Sequence, residues 1–257
     1  MGFDADLYRG TAEAYARYRL PYPPPMLSSL LSRVAGRTRL MDLACGTGQL
    51  AFALCDAFTS TWAVDQEPEM VAAVASRGVS RVRPIVASAE RLIAPPGAFD
   101  LIVIGNAFHR LARERVASPA FTWLKPGGAL ALCWSDSPWA GNAPWQATFR
   151  SVIDAWRDRL GDRLPPGWSQ ARSVTPDAAV LRSAGFSPAG RSTFTLPHTW
   201  TASTLAGFTY STSFLPRRLF GTQAGAFEAE LERLLPGPLT DVSYAYDLAY
   251  KPITPGS

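Results

Sequence analysis

Asp42, Gly46, Gly48, Asp65 and His109 are residues of this 257-residue chain whose types and spacing could do chemistry. The segment Asp42-Leu43-Ala44-Cys45-Gly46-Thr47-Gly48-Gln49 sits between two apolar stretches and reads as a turn joining a strand to a helix. Glycines in such a turn let the backbone pass close beneath a ligand at the carboxyl edge of a sheet. Asp65 ends the next expected strand, 65 − 46 = 19 residues beyond Gly46. A carboxylate at that place can accept both hydroxyls of a ribose. Together, turn and acid predict an adenosine-containing cofactor.

Asp42 discriminates between cofactors. Gly46-Thr47-Gly48-Gln49-Leu50-Ala51 satisfies the G-x-G-x-x-G/A dinucleotide pattern, which leaves NAD as an alternative. A carboxylate four residues before the first glycine faces the same crevice, however, and would repel a pyrophosphate. S-adenosylmethionine carries an ammonium and a sulfonium instead, and both are favoured by a carboxylate. Electrostatics therefore selects S-adenosylmethionine. A purely turn-capping Asp42 is the structural alternative. Metal chemistry is not expected. The three cysteines (Cys45, Cys55, Cys133) form no C-x-x-C pair, and only His109 and His198 could join them.

The elements that must position these residues follow from periodicity. Helices are expected over 5–19 and 25–35, separated by Pro21, Pro23, Pro24 and Pro25. Strands are expected at Arg39–Leu43, Thr61–Val64, Val82–Val86, Phe99–Ile104 and Ala129–Trp134, with helices between them over 50–58, 68–76 and 111–124. Lys125-Pro126-Gly127-Gly128 reads as a stop before the fifth strand. Regular alternation with short connections implies an α/β fold: a doubly wound, mostly parallel, seven-stranded, Rossmann-like sheet. Residues 135–175 are rich in Trp, Pro, Gly and Ser, with one amphipathic helix near 145–160, and read as an aromatic-rich cap inserted after strand five. A helix over 176–184, a strand near 189–196, helices near 201–214 and 222–235, and an alternating strand over 241–250 complete the sheet. The expected divisions are a helical entrance (1–36), a cofactor-binding core (37–134), the cap (135–175) and a C-terminal part with substrate-side helices (176–257).

Composition bounds the partners. Twenty-five basic and 21 acidic side chains leave a net charge of +4, and the charged fraction is 18%. The arginines are scattered, whereas a phosphate-tracking surface needs clustered cations, so no nucleic acid is expected. No apolar run reaches the ~18 residues of a membrane span. Asp4 and Asp6 in the N-terminal stretch, with no apolar h-region, argue against a signal peptide. Together with the cysteine usage they favour a cytoplasmic protein, monomer or homodimer.

The segment from Asp42 to Gly48 resembles the first motif of the class I S-adenosylmethionine-dependent methyltransferases, and Asp65 resembles their ribose-binding acid. Ser88-Ala89-Glu90 is similar to their adenine-contact segment, with Ser88 where many members carry Asp. Leu124-Lys125-Pro126-Gly127-Gly128 is similar to their turn before strand five. Tyr15-Ala16-Arg17-Tyr18-Arg19-Leu20-Pro21-Tyr22-Pro23 and Gly105-Asn106-Ala107-Phe108-His109 resemble segments of a small-molecule subgroup related to trans-aconitate methyltransferases, with Asn106 for Gln. The resemblance implies a cofactor site of Tyr18, Arg19, Asp42, Ala44, Gly46, Gly48, Gln49, Asp65, Gln66, Met70, Ser88, Ala89, Glu90, Asn106 and Ala107. In it Arg19 would meet the cofactor carboxylate. It fades after about residue 140, where the substrate is chosen.

Methyl transfer is an in-line displacement that mainly needs alignment and exclusion of water. A base is needed only for a protonated nucleophile, and His109 is the candidate; the alternative is a helix-start histidine bonded to backbone. His198 and Cys45 read as structural. Six of the eight tryptophans (134, 139, 145, 156, 168 and 200) follow residue 130. They could wall a substrate chamber or pack the cap. Tyr15, His109, Trp134, Trp139, Tyr210 and Phe214 are the expected substrate contacts. The expected activity is methyl transfer to oxygen or carbon of a small, aromatic or acidic metabolite in specialised biosynthesis. The alternatives are a non-methylating cyclase on the same fold and an NAD-dependent oxidoreductase. The N-P-P-Y-type segment of amino-methylating nucleic-acid enzymes is absent: that place reads Asn106-Ala107-Phe108-His109.

Overall fold

Strands that are apolar on both faces are stable only where helices cover each side of the sheet. The computed structural model has this layering and describes residues 8–164, 175–237 and 239–253. Strands β1 (Arg39–Leu43), β2 (Ser60–Asp65), β3 (Val82–Val86), β4 (Phe99–Gly105), β5 (Leu124–Ser135), β6 (Ser187–Thr199) and β7 (Leu239–Tyr250) form one sheet. Their order is β3-β2-β1-β4-β5-β7-β6. The first five pair in parallel, and β7 runs antiparallel between β5 and β6. After β3 the chain returns to the other side of β1. The carboxyl ends of β1 and β4 therefore flank the switch point where open α/β sheets leave a crevice.

Side-chain alternation in the central strands feeds two cores. Leu101, Val103, Ala129 and Ala131 point into one, and Ile102, Ile104, Leu130 and Leu132 into the other. All eight are fully buried. Each large aliphatic side chain hidden this way contributes roughly 1.5–3 kcal/mol.

Helices α1 (Ala12–Tyr18), α2 (Pro24–Ser32), α3 (Gln49–Leu54), α4 (Pro68–Ala75) and α5 (Arg113–Trp123) belong to the first half of the chain. The second half contributes α6 (Pro144–Leu160), α7 (Asp177–Ser183), α8 (Ala202–Tyr210), α9 (Arg217–Phe220) and α10 (Ala224–Leu234). The stripe Phe149, Val152, Ile153, Trp156 and Leu160 makes α6 amphipathic and seats it in the larger core. Trp156 and Trp200 are both fully buried, so these two tryptophans pack the fold. Trp168 and residues 165–174 of the expected cap lie outside the described residues, as do Asp4 and Asp6.

Strand five departs from the reading of Lys125–Gly128 as a stop. β5 begins at Leu124, and its pairing with β4 jumps from Phe99↔Leu124 to Leu101↔Ala129. The irregularity absorbs Pro126, which has no N–H to give to a ladder. The expected helix 201–214 ends at Tyr210, and Ser211, Thr212 and Ser213 follow as a buried polar segment.

Helix α1 roofs the crevice by packing on α4 and α8. Its contact with α8 relies on the missing side chain of Gly207: a Cβ there would lie 2.3 Å from the Tyr18 ring. Gly207→Val is expected to push α1 off α8 and cost about 1–3 kcal/mol of stability, the usual cost of overpacking. Urea titration checks the loss, and Tyr18→Leu in the same chain should restore part of it.

Candidate functional site

The glycine turn is shaped by its backbone. Ala44, Gly46 and Gly48 all have positive φ, at 58°, 54° and 83°. A Cβ on Gly46 would press on the Tyr15 ring at 3.1 Å, and one on Gly48 would meet Phe52 at 2.8 Å. The turn is tied to β2 from two directions. Cys45 N–H donates to the Val64 carbonyl at 2.9 Å. Gly46 N–H donates to Asp65 Oδ2 at 2.8 Å, while Glu67 N–H donates to Asp65 Oδ1 at 2.9 Å. Asp65 thus braces the turn as well as facing the crevice. Asp42 likewise has two roles: Ala51 N–H donates to its Oδ2 at 2.8 Å, capping the start of α3, and the residue also lines the crevice.

Two adjoining chambers lie above the turn. The larger, about 690 Å³ including its open mouth, is lined by Tyr15, Ala44, Gly46, Asp65, Gln66, Met70, Ala89, Glu90, Asn106 and Ala107 among the expected residues. Tyr8, Glu67, Ala87, Gly105, Arg110 and Leu111 complete it. The smaller, about 370 Å³, gathers Tyr15, Arg19, Asp42, Ala44, Gln49 and Asn106 beside Tyr22 and Ser135. Arg19 is held firmly there. Its Nε donates to Ser211 Oγ at 2.8 Å and one terminal nitrogen donates to the Ser211 carbonyl at 3.2 Å. Its guanidinium carbon lies 4.7 Å from the ring centres of both Tyr15 and Phe208.

Burial sets the charge states. It pushes the Asp42 carboxyl up to about 7, with the Asp65 charge adding to the rise and the Ala51 N–H opposing it. Asp65 is raised by burial against its backbone hydrogen bonds. Tyr15 is pushed up to about 12, chiefly by burial, so it keeps its proton. Burial raises the Cys45 thiol well above its ordinary value, which leaves it a poor nucleophile.

Several expected residues line neither chamber. Tyr18 packs on α8, and Gly48 serves the turn. The Ser88 carbonyl accepts from the backbone N–H groups of Arg91 and Leu92. His109 lies in the turn Phe108–Arg110 with its ring 5.8 Å from that of Trp134, whose indole N–H donates to Asp247 at 2.9 Å. Tyr210 is a core residue, its ring against Phe220 and Phe227 and its hydroxyl 2.9 Å from Glu228. Trp139 and Phe214 form an aromatic cluster with Phe208, one ring away from Arg19. Tyr8, Tyr22, Glu67, Arg110 and Ser135 escaped the sequence reading. Ser135 directly follows the expected fifth strand, and that placement could have found it.

The residues present fit S-adenosylmethionine. A Cβ at Gly46 would crowd the Tyr15 ring that faces the turn, so the close approach there needs glycine. Gln49 Nε2 is buried without a partner among the described residues, and the residue lines the smaller chamber. A carboxylate and a guanidinium in that chamber match the ammonium and carboxylate of an amino acid. Among the described residues no group of acids, cysteines and histidines could hold a metal. No helix there is long and apolar enough to cross a membrane.

A sheet in this order, with an acid–glycine turn at its switch point, defines the class I methyltransferase fold. Residues 40–128 match the methyltransferase domain family. It is 31% identical over 162 residues to uncharacterised methyltransferases of Mycobacterium bovis and Mycobacterium tuberculosis. That match covers 63% of this chain and 65% of those relatives. In fold it is similar to the YcgJ protein of Bacillus subtilis, at a TM-score of 0.57 and 19% identity over 89% of this chain and 98% of that one. It is similar also to the [4+2]-cyclase SpnF, at 0.56 and 19% over 97% and 94%.

Proposed function

We propose that this chain is an S-adenosylmethionine-dependent methyltransferase acting on oxygen or carbon of a small, aromatic or acidic metabolite in specialised biosynthesis. In this reading it is a cytoplasmic monomer or homodimer that binds no nucleic acid. The observation that carries the proposal is the charge layout of the crevice. Asp42 and Arg19 share the smaller chamber, and Asp65 stands beyond the Gly46 cradle in the larger one. Asp42 would hold the ammonium, Arg19 the carboxylate and Asp65 the ribose hydroxyls. Met70, Ala89 and Glu90 would line the base.

The cofactor, when bound, supplies an electrophilic methyl on a cationic sulfur. The chain's own residues orient and enclose it. Tyr15 covers the glycine turn from α1, and the Arg19–Ser211 bonds join this roof to the end of α8. Enclosure excludes water, which would otherwise compete with the acceptor. His109 lines neither chamber, so this mechanism assigns it no proton transfer.

Calorimetry with S-adenosylmethionine, S-adenosylhomocysteine and NAD tests the assignment. The expected result is binding of the first two. Incubation with carboxylic and phenolic metabolites should then release S-adenosylhomocysteine. Binding of NAD with no binding of either sulfur compound would overturn the proposal.

A further inference from the structure

The floor of the smaller chamber holds a hydrogen-bond network that cofactor binding leaves unexplained. Ser135 N–H donates to Asn106 Oδ1 at 3.0 Å. A backbone N–H can only donate, so this bond settles which end of the Asn106 amide is oxygen and which is nitrogen. The amide nitrogen then gives its two protons to two hydroxyls: Tyr22 Oη at 3.1 Å and Ser135 Oγ at 2.9 Å. Both hydroxyls are therefore acceptors within the network. Neither has an acceptor for its own proton among the described residues, and both residues line the chamber. Tyr22 is only 8% exposed. Burial raises its phenol well above the ordinary value, so the proton stays in place. Asn106 adopts φ 51°, a left-handed conformation that asparagine tolerates better than most residues. The backbone at the end of β4 is thus bent in the way that presents this amide to both hydroxyls.

We infer that Tyr22 and Ser135, aimed by Asn106, form a twin hydroxyl donor site for a pair of oxygens, such as a carboxylate, on the methyl acceptor. The two N–H bonds of an amide diverge by about 120°, which sets the hydroxyls about 5 Å apart. Two O–H···O bonds of about 2.7 Å each can reach the two oxygens of one carboxylate, whereas a single oxygen placed between the hydroxyls would collide with the Asn106 amide nitrogen. The chamber's other donors are Gln49 Nε2, without a partner among the described residues, and the Arg19 guanidinium, already bonded to Ser211, and its acidic side chain, Asp42, is the natural partner of the cofactor's ammonium. A group with two neighbouring oxygens and no N–H fits such a surface: a carboxylate or the enolate of a 1,3-diketone. An ammonium has no lone pair and would leave both hydroxyl protons without an acceptor. The inference rests on the methyltransferase reading and narrows it to acceptors anchored through oxygen.

The test uses the full chain saturated with S-adenosylhomocysteine, titrated in a calorimeter near neutral pH with benzoate, 4-hydroxybenzoate and acetylacetonate, and separately with the protonated amines benzylamine and cyclohexylamine. The oxygen probes should bind and the amines should not. Tyr22→Phe and Ser135→Ala should each weaken the oxygen probes about fivefold to tenfold, the worth of one neutral hydrogen bond. Asn106→Asp keeps the acceptor for Ser135 N–H but offers a carboxylate oxygen in place of the N–H₂. The hydroxyl protons should turn toward it, and the preference should reverse in favour of the amines. Equal binding of both probe sets, binding of neither, or oxygen-probe affinities unchanged in Tyr22→Phe and Ser135→Ala would each overturn the inference. Should Asn106→Asp fail to fold, the two hydroxyl variants decide alone. Failure of S-adenosylhomocysteine to bind the unaltered chain would instead sink the methyltransferase reading itself.

Discussion

Asp42→Asn is expected to stabilise the empty protein while removing most of its hold on the cofactor. Asp42 is fully buried, and burial lifts its carboxyl from 3.8 to about 7. The folded chain therefore binds a proton that the unfolded chain has released between about pH 4 and 7. Stability falls as pH rises through that window, and the loss is complete above pH 7. At one pKa unit per 1.36 kcal/mol the penalty approaches about 4 kcal/mol. Asparagine carries no such penalty, and its carbonyl can still accept from Ala51 N–H. Urea titrations should show the variant gaining on the wild type from pH 5 to about pH 7 and the difference levelling off above it.

The cofactor responds in the opposite sense. Its ammonium favours the Asp42 carboxylate, so in the wild type S-adenosylmethionine affinity should fall as pH drops below about 7. In Asp42→Asn the affinity should be lower at pH 8 by roughly tenfold to a hundredfold, the worth of a charge-assisted hydrogen bond, and should fall less steeply toward acid than in the wild type. Asp65, Tyr15 and Cys45 also face this region, and burial raises all three. Asp65 would add to the acid-side loss in wild type and variant alike, so the difference between the two profiles isolates Asp42. A wild-type profile flat from pH 5.5 to 8 would show that the carboxylate does not meet the cation.

Asp65 carries the second large effect, because one carboxylate serves both the turn and the ligand. Its two oxygens already accept from Gly46 N–H and Glu67 N–H. Asp65→Ala should lose both bonds and the ribose contact, lowering S-adenosylhomocysteine affinity by at least 2 kcal/mol, about thirtyfold, at ~1.5–3 kcal/mol per charged hydrogen bond. Asp65→Asn is the sharper experiment. Its amide nitrogen would have to face one of the two backbone N–H groups, donor against donor, so the near-isosteric change should be almost as harmful as alanine. Calorimetry measures the affinity, and thermal melting reports the loosened turn. If Asp65→Asn binds like the wild type, the carboxylate is not what holds the turn in its ligand-ready shape.

Some parts of this molecule were legible without coordinates because they are local. β4 is buried on both faces along nearly its whole length, and its continuous apolar run announced that. The Asp42–Gly48 turn needed positive φ at two glycines, and glycine is the residue type that advertises such a need. Ala44 shares the conformation without the signal. Tyr210 illustrates the opposite case. Aromatic enrichment beyond residue 130 suggested a chamber wall, but this ring lies in the core with its hydroxyl on Glu228. A tyrosine looks the same in sequence whether its partner is a ligand or a glutamate 18 residues away.

By itself, then, the sequence determined the alternation of strands and helices, the glycine turn and the two acids beside it. Each depends on backbone sterics or on burial along a few consecutive residues. Only the tertiary structure decided that β7 slots antiparallel between β5 and β6, that Asp42 is buried deeply enough to titrate near neutrality, and that Asn106 reaches Tyr22 across 84 residues of chain and Ser135 across 29. Pairing, desolvation and the direction of a hydroxyl proton depend on what lies across a gap, and chain folding alone brings those neighbours together.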